Sequence, residues 1–334
     1  MNKQFRFILF LLIALNLNSF GQDAQFTQFY ANPIYLSPSF AGSTSGTRAV
    51  LNFRDQWPSI PGAFVTYSVS IDHFLPRYNS GLGIQILRDR AGSGQLGLTT
   101  ISGNYSYLIK ANRRWNVRPG LMLNYNIRSI DFDKLVFNDQ MDIDGNSPTS
   151  IETPSLEKIH YPDAGFSMMA YNRMYWGGFM IDHIFTPNQS LIDGVSRIPV
   201  KFRLYGGRKF VVANSKRYNE ETIKFAFSYK AQGKFDQLDL GAYWSREPFI
   251  FGIWYRGIPL LKQYAKGYIN NDAIAILVGY KYKDLIFGYS YDITISRIFA
   301  NTGGAHEISL IFEFNQDQKV RRKRKAVIVP CPKF

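Results

Sequence analysis

Four histidines (His73, His160, His183, His306) and one cysteine, Cys331, are the only imidazole and thiol groups in the chain. The histidines are scattered, with no H-x-x-x-H pair. A lone cysteine cannot make the paired spacing of a zinc site or the framework of a disulfide-stapled domain. Asp142, Asp144 and Asn146 stand at alternate positions, as calcium ligands do. Ser147, however, replaces the Gly of a calcium hand, and Thr153 replaces its closing Glu. The acidic stretch from Asp131 to Glu157 therefore reads as a solvated or lumen-folded loop. No Ser-His-Asp set sits in a recognisable elbow. The residues predict no catalytic group, no metal site and no cofactor. Other charges fall inside apolar strands: Lys201 and Arg203, Lys224 and Lys230, with Arg208 nearby. With Asp182, Asp239 and Asp292 as partners, they suit a salt-linked interior better than a selective anion pore.

The elements that must position these groups have a period of two. Val65, Tyr67, Val69 and Ile71 alternate with Thr66, Ser68, Ser70 and Asp72; Ile308, Leu310 and Phe312 alternate with Glu307, Ser309 and Glu313. Alternation over segments of about ten residues suits a half-buried strand or a tilted membrane-spanning one. A soluble sandwich turns its apolar side to a shared core, whereas a membrane barrel turns it to lipid. Two features favour the barrel. Aromatic pairs cluster at strand ends, at Tyr105/Tyr107, Tyr175/Trp176, Tyr243/Trp244 and Tyr289/Tyr291. The links after even strands are short, and those after odd strands are mostly longer. The prediction is an all-β transmembrane antiparallel barrel of about fourteen strands over residues 47–314. On this facing, Leu310→Arg meets lipid and costs more than Ser309→Arg in the lumen, provided the lumen has room.

The flanks complete the division of the chain. Residues 1–21 read as a signal peptide: Lys3 and Arg6, the apolar run Phe7 to Leu15, and small Ser19 and Gly21 before Gln22. The formal charge is +14, of which Lys3 and Arg6 supply two, leaving +12. Seven Lys/Arg against one Asp in residues 315–334 hold half of that excess. The basic balance thus describes a tail and not a nucleic-acid footprint. Both termini are expected on the short-turn side, the periplasm. In the tail, Arg321, Arg322, Lys323, Arg324 and Lys325 suit anionic headgroups or an acidic partner, and Val327, Ile328, Val329 and Phe334 offer apolar anchors. Cys331 is placed to form a mixed disulfide or to stay a thiol. The alternative for the tail is a solvated end. Residues 22–46 are dense in aromatics and interrupted by Pro33 and Pro38. They read as a plug or floor of the barrel, with a partner-binding surface as the alternative.

That N-terminal segment also carries a resemblance. Asp23-Ala24-Gln25-Phe26-Thr27-Gln28-Phe29, then Asn32-Pro33, then Ser37-Pro38-Ser39-Phe40-Ala41-Gly42-Ser43 resemble the opening of the PorP/SprF outer-membrane proteins of Bacteroidota. Arg54-Asp55-Gln56-Trp57, Leu135 to Gln140 and the ending Cys331-Pro332-Lys333-Phe334 resemble further motifs of that family, with Asn138 where Gly is common. The resemblance implies a non-enzymatic outer-membrane component of type IX secretion, with gliding and surface adhesin delivery in some members. Its partners would be secretion-machine components or a secreted adhesin, together with the lipid bilayer. No nucleic acid or small-molecule substrate is implied. The rival expectation is a porin or transporter for a small solute.

Overall fold

A computed structural model describes residues 23–135, 157–192, 194–213, 220–258, 263–265, 268–296, 302–314 and 329–331. Fourteen long antiparallel strands form one sheet. In chain order they are β1 Thr47–Gln56, β2 Phe64–Leu75, β3 Ser80–Ala91, β4 Leu96–Tyr107, β5 Asn116–Ser129, β6 Lys158–Tyr171 and β7 Tyr175–Asp182. They continue with β8 Lys201–Ala213, β9 Glu221–Gln232, β10 Phe235–Arg246, β11 Phe249–Gly257, β12 Asn271–Tyr282, β13 Leu285–Thr294 and β14 Ala305–Phe314. Each strand pairs with its neighbours in sequence, and β14 returns to β1 from Thr47↔Phe314 to Gln56↔Ala305. The sheet is therefore a closed barrel, which leaves no edge unpaired. Short ladders at Ile109–Lys110 and at Gln263–Ala265 with Tyr268–Ile269 decorate it.

The alternation seen in the sequence divides the wall into two faces. Val69 and Ile71 are about half exposed on the outside, while Ser68, Ser70 and Asp72 between them are buried inside. Leu310 is exposed and Ser309 is fully buried. An apolar exterior with a polar interior inverts the soluble pattern and is what a bilayer demands of a barrel. No described helix is long and apolar enough to cross a membrane. The girdle expectation needs correction at two positions. Tyr105, Tyr107 and Tyr175 face outward, but Trp176 and Tyr243 are 3% and 1% exposed inside the barrel.

The segment from Asp23 to Gly46 lies within the lumen. Its prolines do not merely break it: Pro33 opens the single helical turn α1, Pro33–Leu36, and Pro38 opens a 3-10 turn, Pro38–Phe40. Proline suits the first position of a helical turn because no intrahelical N–H is needed there. Asp23 contacts Lys201, the first residue of β8, at the long-loop end; Gly46 leads into β1 at the short-turn end. The segment thus threads down through the barrel, which corrects the expectation of a start below it.

Candidate functional site

The lower lumen is packed by three kinds of contact. The first is a pair of buried guanidiniums holding the backbone of the Phe40-Ala41-Gly42 motif. Arg118 donates to the Ala41 and Gly42 carbonyls at 2.6 and 3.0 Å, and Arg48 donates to the Phe40 carbonyl at 3.1 Å. Arg48 is also paired with Asp72 at 2.9 Å, and Asp72 accepts from the Gly42 N–H at 2.7 Å. Gly42 has φ +59°, a conformation that glycine adopts without strain. The wall is bare where it meets this motif. A Cβ on Gly81 would lie 2.0 Å from the Ala41 carbonyl oxygen, and one on Gly120 would lie 2.4 Å from Ser39 N.

The second contact is an ion network around Thr27 and Gln28. Arg54 bridges Asp292 at 2.9 Å and Glu307 at 3.1 Å; Arg256 bridges Asp239 at 3.0 Å and Asp292 at 3.3 Å. Both arginines donate to the Thr27 hydroxyl at 2.8 Å, and that hydroxyl donates to Asp292. The Thr27 and Gln28 N–H groups donate to Glu307. Gln28 also donates through its amide to Ser290 and accepts from Ser309. Charged hydrogen bonds of this kind are the strong ones, provided every buried partner is satisfied. The room that would make Ser309→Arg cheap is therefore absent: Gln28 fills it. Asn32 extends the same polar wall to Ser68 and Gln85.

The third contact is aromatic. Trp176 lies against Gly207 and Trp254 against Gly241, where any Cβ would strike the indole. Phe29 packs on Trp254 with centroids 4.8 Å apart, Trp176 donates its N–H to the Tyr30 hydroxyl at 3.1 Å, and Phe40 lies beside Tyr205. Phe26, Ile34 and Leu36 are likewise buried. Val329 and Cys331 join this cluster at 3% and 8% exposed. Burial of these two residues differs from the exposed partner contacts expected of them. Arg321, Arg322, Lys323, Arg324, Lys325, Val327, Ile328 and Phe334 lie outside the described residues, as do Asp142, Asp144 and Asn146.

Above this packing the lumen opens. A cavity of about 1480 Å³ lies at the long-loop end, floored by Asp23, Ala24, Gln25 and Tyr35. Its wall mixes apolar groups such as Leu98, Met122 and Ile198 with polar ones such as Asn126 and Arg128. The floor is pinned by a chain of ion pairs. Asp23 meets Lys201 at 2.5 Å and His183 at 3.0 Å, and His183 meets Asp163 at 2.6 Å through its other nitrogen. Burial disfavours charge on His183, but the Asp23 carboxylate and the Asp163 hydrogen bond outweigh it and push its pKa up to about 10. Asp23 is also opposed by burial, yet Lys201 and His183 hold it well below the usual carboxylate range. Asp163, Asp182 and His183 come close enough to surround a metal ion. Both imidazole nitrogens already face carboxylates, however, and Lys201 supplies a cation, so the arrangement is an ion-pair chain.

Of the charges singled out in the sequence, Lys201, Arg203, Lys230, Asp239 and Asp292 do point inward and find partners. Asp182 accepts from the His183 backbone. Arg208 is on the outer wall, over Phe210. Asp72 and Glu307 lie on the polar face where the alternation placed them, and Arg54 belongs to a motif noted in the sequence, but their ionic partnerships were not foreseen; Arg48, Arg118, Asp163 and Arg256 were missed, although each is a charge on the polar side of a strand.

Residues 18–312 match the family model described as type IX secretion system membrane protein PorP/SprF. The chain belongs to that family. It is therefore an outer-membrane component associated with type IX secretion. Among curated proteins there is no match. Solved structures similar to it include the toluene transporter TbuX of Ralstonia pickettii, at 9% identity and TM-score 0.48, covering 84% of this chain and 93% of that one. Another is the CymD monoaromatic hydrocarbon channel, at 11% identity and TM-score 0.45, covering 86% and 94%. CdiB from Acinetobacter baumannii follows at 6% identity and TM-score 0.44, covering 80% and 60%.

Proposed function

We propose that this PorP/SprF member is a stoppered barrel that holds a secreted protein at the cell surface. The N-terminal segment is the stopper, and the open cavity above it is the receiving cup. The single observation that carries this reading is the contrast between a lower lumen packed with paired charges and an upper lumen of about 1480 Å³. Short turns face the periplasm in barrels of this kind, so the cup at the long-loop end faces out. Its wall offers apolar and polar groups together, which suits a folded or extended polypeptide surface better than a purely apolar solute. Binding here calls for no reaction step: the barrel anchors, and the secretion machine delivers. The rival reading, solute transport, requires the Thr27 network and both guanidinium clamps to come apart in each cycle.

The test is capture from intact outer membranes. Wild-type barrel should co-purify with a surface protein exported by type IX secretion. A Leu98→Asp, Met122→Lys variant of the cup should lose that protein while keeping its heat-modifiable fold. Retention of the same surface protein by the double variant would overturn the reading.

A further inference from the structure

The short-turn rim is electrostatically lopsided. The turns joining β2 to β3, β4 to β5 and β6 to β7 contain Arg77, Lys110, Arg113, Arg114 and Arg173, all exposed, and no Asp or Glu. Among the described residues these five cations make no ion pair with a protein carboxylate. The remaining rim is mixed: Lys209 pairs with Glu220 at 2.6 Å, Lys281 pairs with Glu247, and Lys283 adjoins Asp284. Because successive hairpins are neighbours in a closed barrel, the three carboxylate-free turns form one continuous crescent.

Two adjacent turns of the crescent share one design. Asn112-Arg113-Arg114-Trp115 and Asn172-Arg173-Met174-Tyr175 both follow Asn-Arg-x-aromatic. In each, the Asn side chain accepts from the backbone N–H groups two and three residues further on, at 2.8 and 2.7 Å. Such Asx turns fix the arginine at the tip of the turn and the aromatic ring at its exit. Trp115 and Tyr175 are 37% and 40% exposed, and Tyr78 in the third turn is 62% exposed. Arg208 lies on the outer wall with its guanidinium 5.0 Å from the Tyr175 ring centre. Arg77, with its guanidinium 5.9 Å from the Tyr78 ring centre, and Arg208 thus sit beside exposed aromatic rings of the kind that mark the headgroup level.

We infer that this crescent is a binding surface for the phosphate groups of anionic phospholipids in the leaflet at the short-turn end. Rings of Trp and Tyr occupy the boundary between acyl chain and headgroup, and Arg and Lys reach from the same depth to phosphate oxygens. The opposite arc, with its own carboxylates, has no such preference. The consequence is a barrel with a lipid-facing front and back, oriented by lipids independently of what the cup holds. The inference rests on the short turns facing the periplasmic leaflet, but the lipid assay below does not involve cargo.

The experiment reconstitutes the full mature chain in vesicles of phosphatidylglycerol and phosphatidylcholine and measures spin-labelled lipids of each type at the protein surface. Wild type should favour the glycerol headgroup, by about fivefold for a lipid held by one cation, the equivalent of about 1 kcal/mol. In a common background with Arg321, Arg322, Lys323, Arg324 and Lys325 replaced by Gln, a variant with Arg77→Gln, Lys110→Gln, Arg113→Gln, Arg114→Gln and Arg173→Gln should lose most of the preference. A variant of the opposite arc, Arg246→Gln, Lys281→Gln and Lys283→Gln, should keep it. All these rim side chains are exposed except Lys281, which is half-buried, and heat-modifiability confirms that each variant is folded. Equal association of the two lipids with wild type would overturn the inference, as would equal losses in the two variants. So would salt-sensitive capture of an acidic periplasmic protein by the crescent without any lipid preference.

Discussion

The lower and upper halves of one lumen are built from the same strands and behave differently. In the lower half, Arg48, Arg54, Arg118 and Arg256 are nearly inaccessible, and each is committed to a carboxylate or a backbone carbonyl. In the upper half, the strand ends carry Thr100, Asn126 and Gln237 beside Leu98 and Met122, and they surround open space. The difference lies in what fills the barrel. Below, a Pro- and Gly-punctuated segment brings its own backbone donors and acceptors to the wall. Above, only Asp23 to Gln25 and Tyr35 reach the cavity. A filled lumen makes side chains structural; an empty one leaves them available to a partner.

The largest expected break of this contrast is removal of a lower-half arginine. Arg54→Ala leaves Glu307 without its cation and Asp292 with Arg256 alone, and loss of one partner of a buried pair costs about 3–5 kcal/mol. Urea titration of the folded barrel in lipid measures this, and a loss below about 1 kcal/mol would show that the network does not hold the lower lumen together. Next is a steric wedge. Gly81→Leu pushes into the Ala41 carbonyl and should displace the stopper, with overpacking costing roughly 1–3 kcal/mol. A spin label near Gln25 should report new mobility, in a Cys331→Ser background.

A third comparison corrects a sequence expectation. Leu310→Arg, facing lipid, should cost about 2–4 kcal/mol if it lies at mid-bilayer depth. Ser309→Arg, expected to be cheap, should cost a similar amount because Gln28 occupies its space. Heat-modifiability of the two variants, run side by side, checks this. The smallest effect is expected in the cup, where Leu96→Gln should change stability by no more than about 0.5 kcal/mol.

The floor latch adds a pH signature. His183 is raised in the folded state to about 10, so its contribution is present below the unfolded value and is lost as pH rises through about 10. Asp23 is depressed, so its contribution is present above its unfolded value and is lost as pH falls through the lowered one. A label at Gln25 should stay immobile across neutral pH and loosen above about 10 in wild type. In His183→Gln it should be looser already at pH 7. Identical profiles for the two would remove His183 from the latch.

Much of the wall was legible in the sequence. Period-two patterning in β2 and β14 placed each side chain on the correct face, and the unequal links favoured the barrel that the strand pairing closes. The girdle reading failed at Trp176 and Tyr243 because adjacent aromatic pairs put one member on each face of a strand. The interior was harder to read. The Arg54–Glu307 pair links residues 253 apart, and their proximity depends on closure of the barrel, which no local pattern encodes. The glycines opposite Ala41 and Ser39 are informative only once the segment is seen against them. Val329 and Cys331 were read as contacts for a partner because apolar character does not say which surface a residue covers.

Sealing of the lower lumen is tested most directly by single-channel recording of the purified protein in a planar bilayer. The account predicts an ionically silent protein at neutral pH, with steps appearing in the Gly81→Leu variant. Long-lived open steps of porin size from the wild-type protein would contradict it.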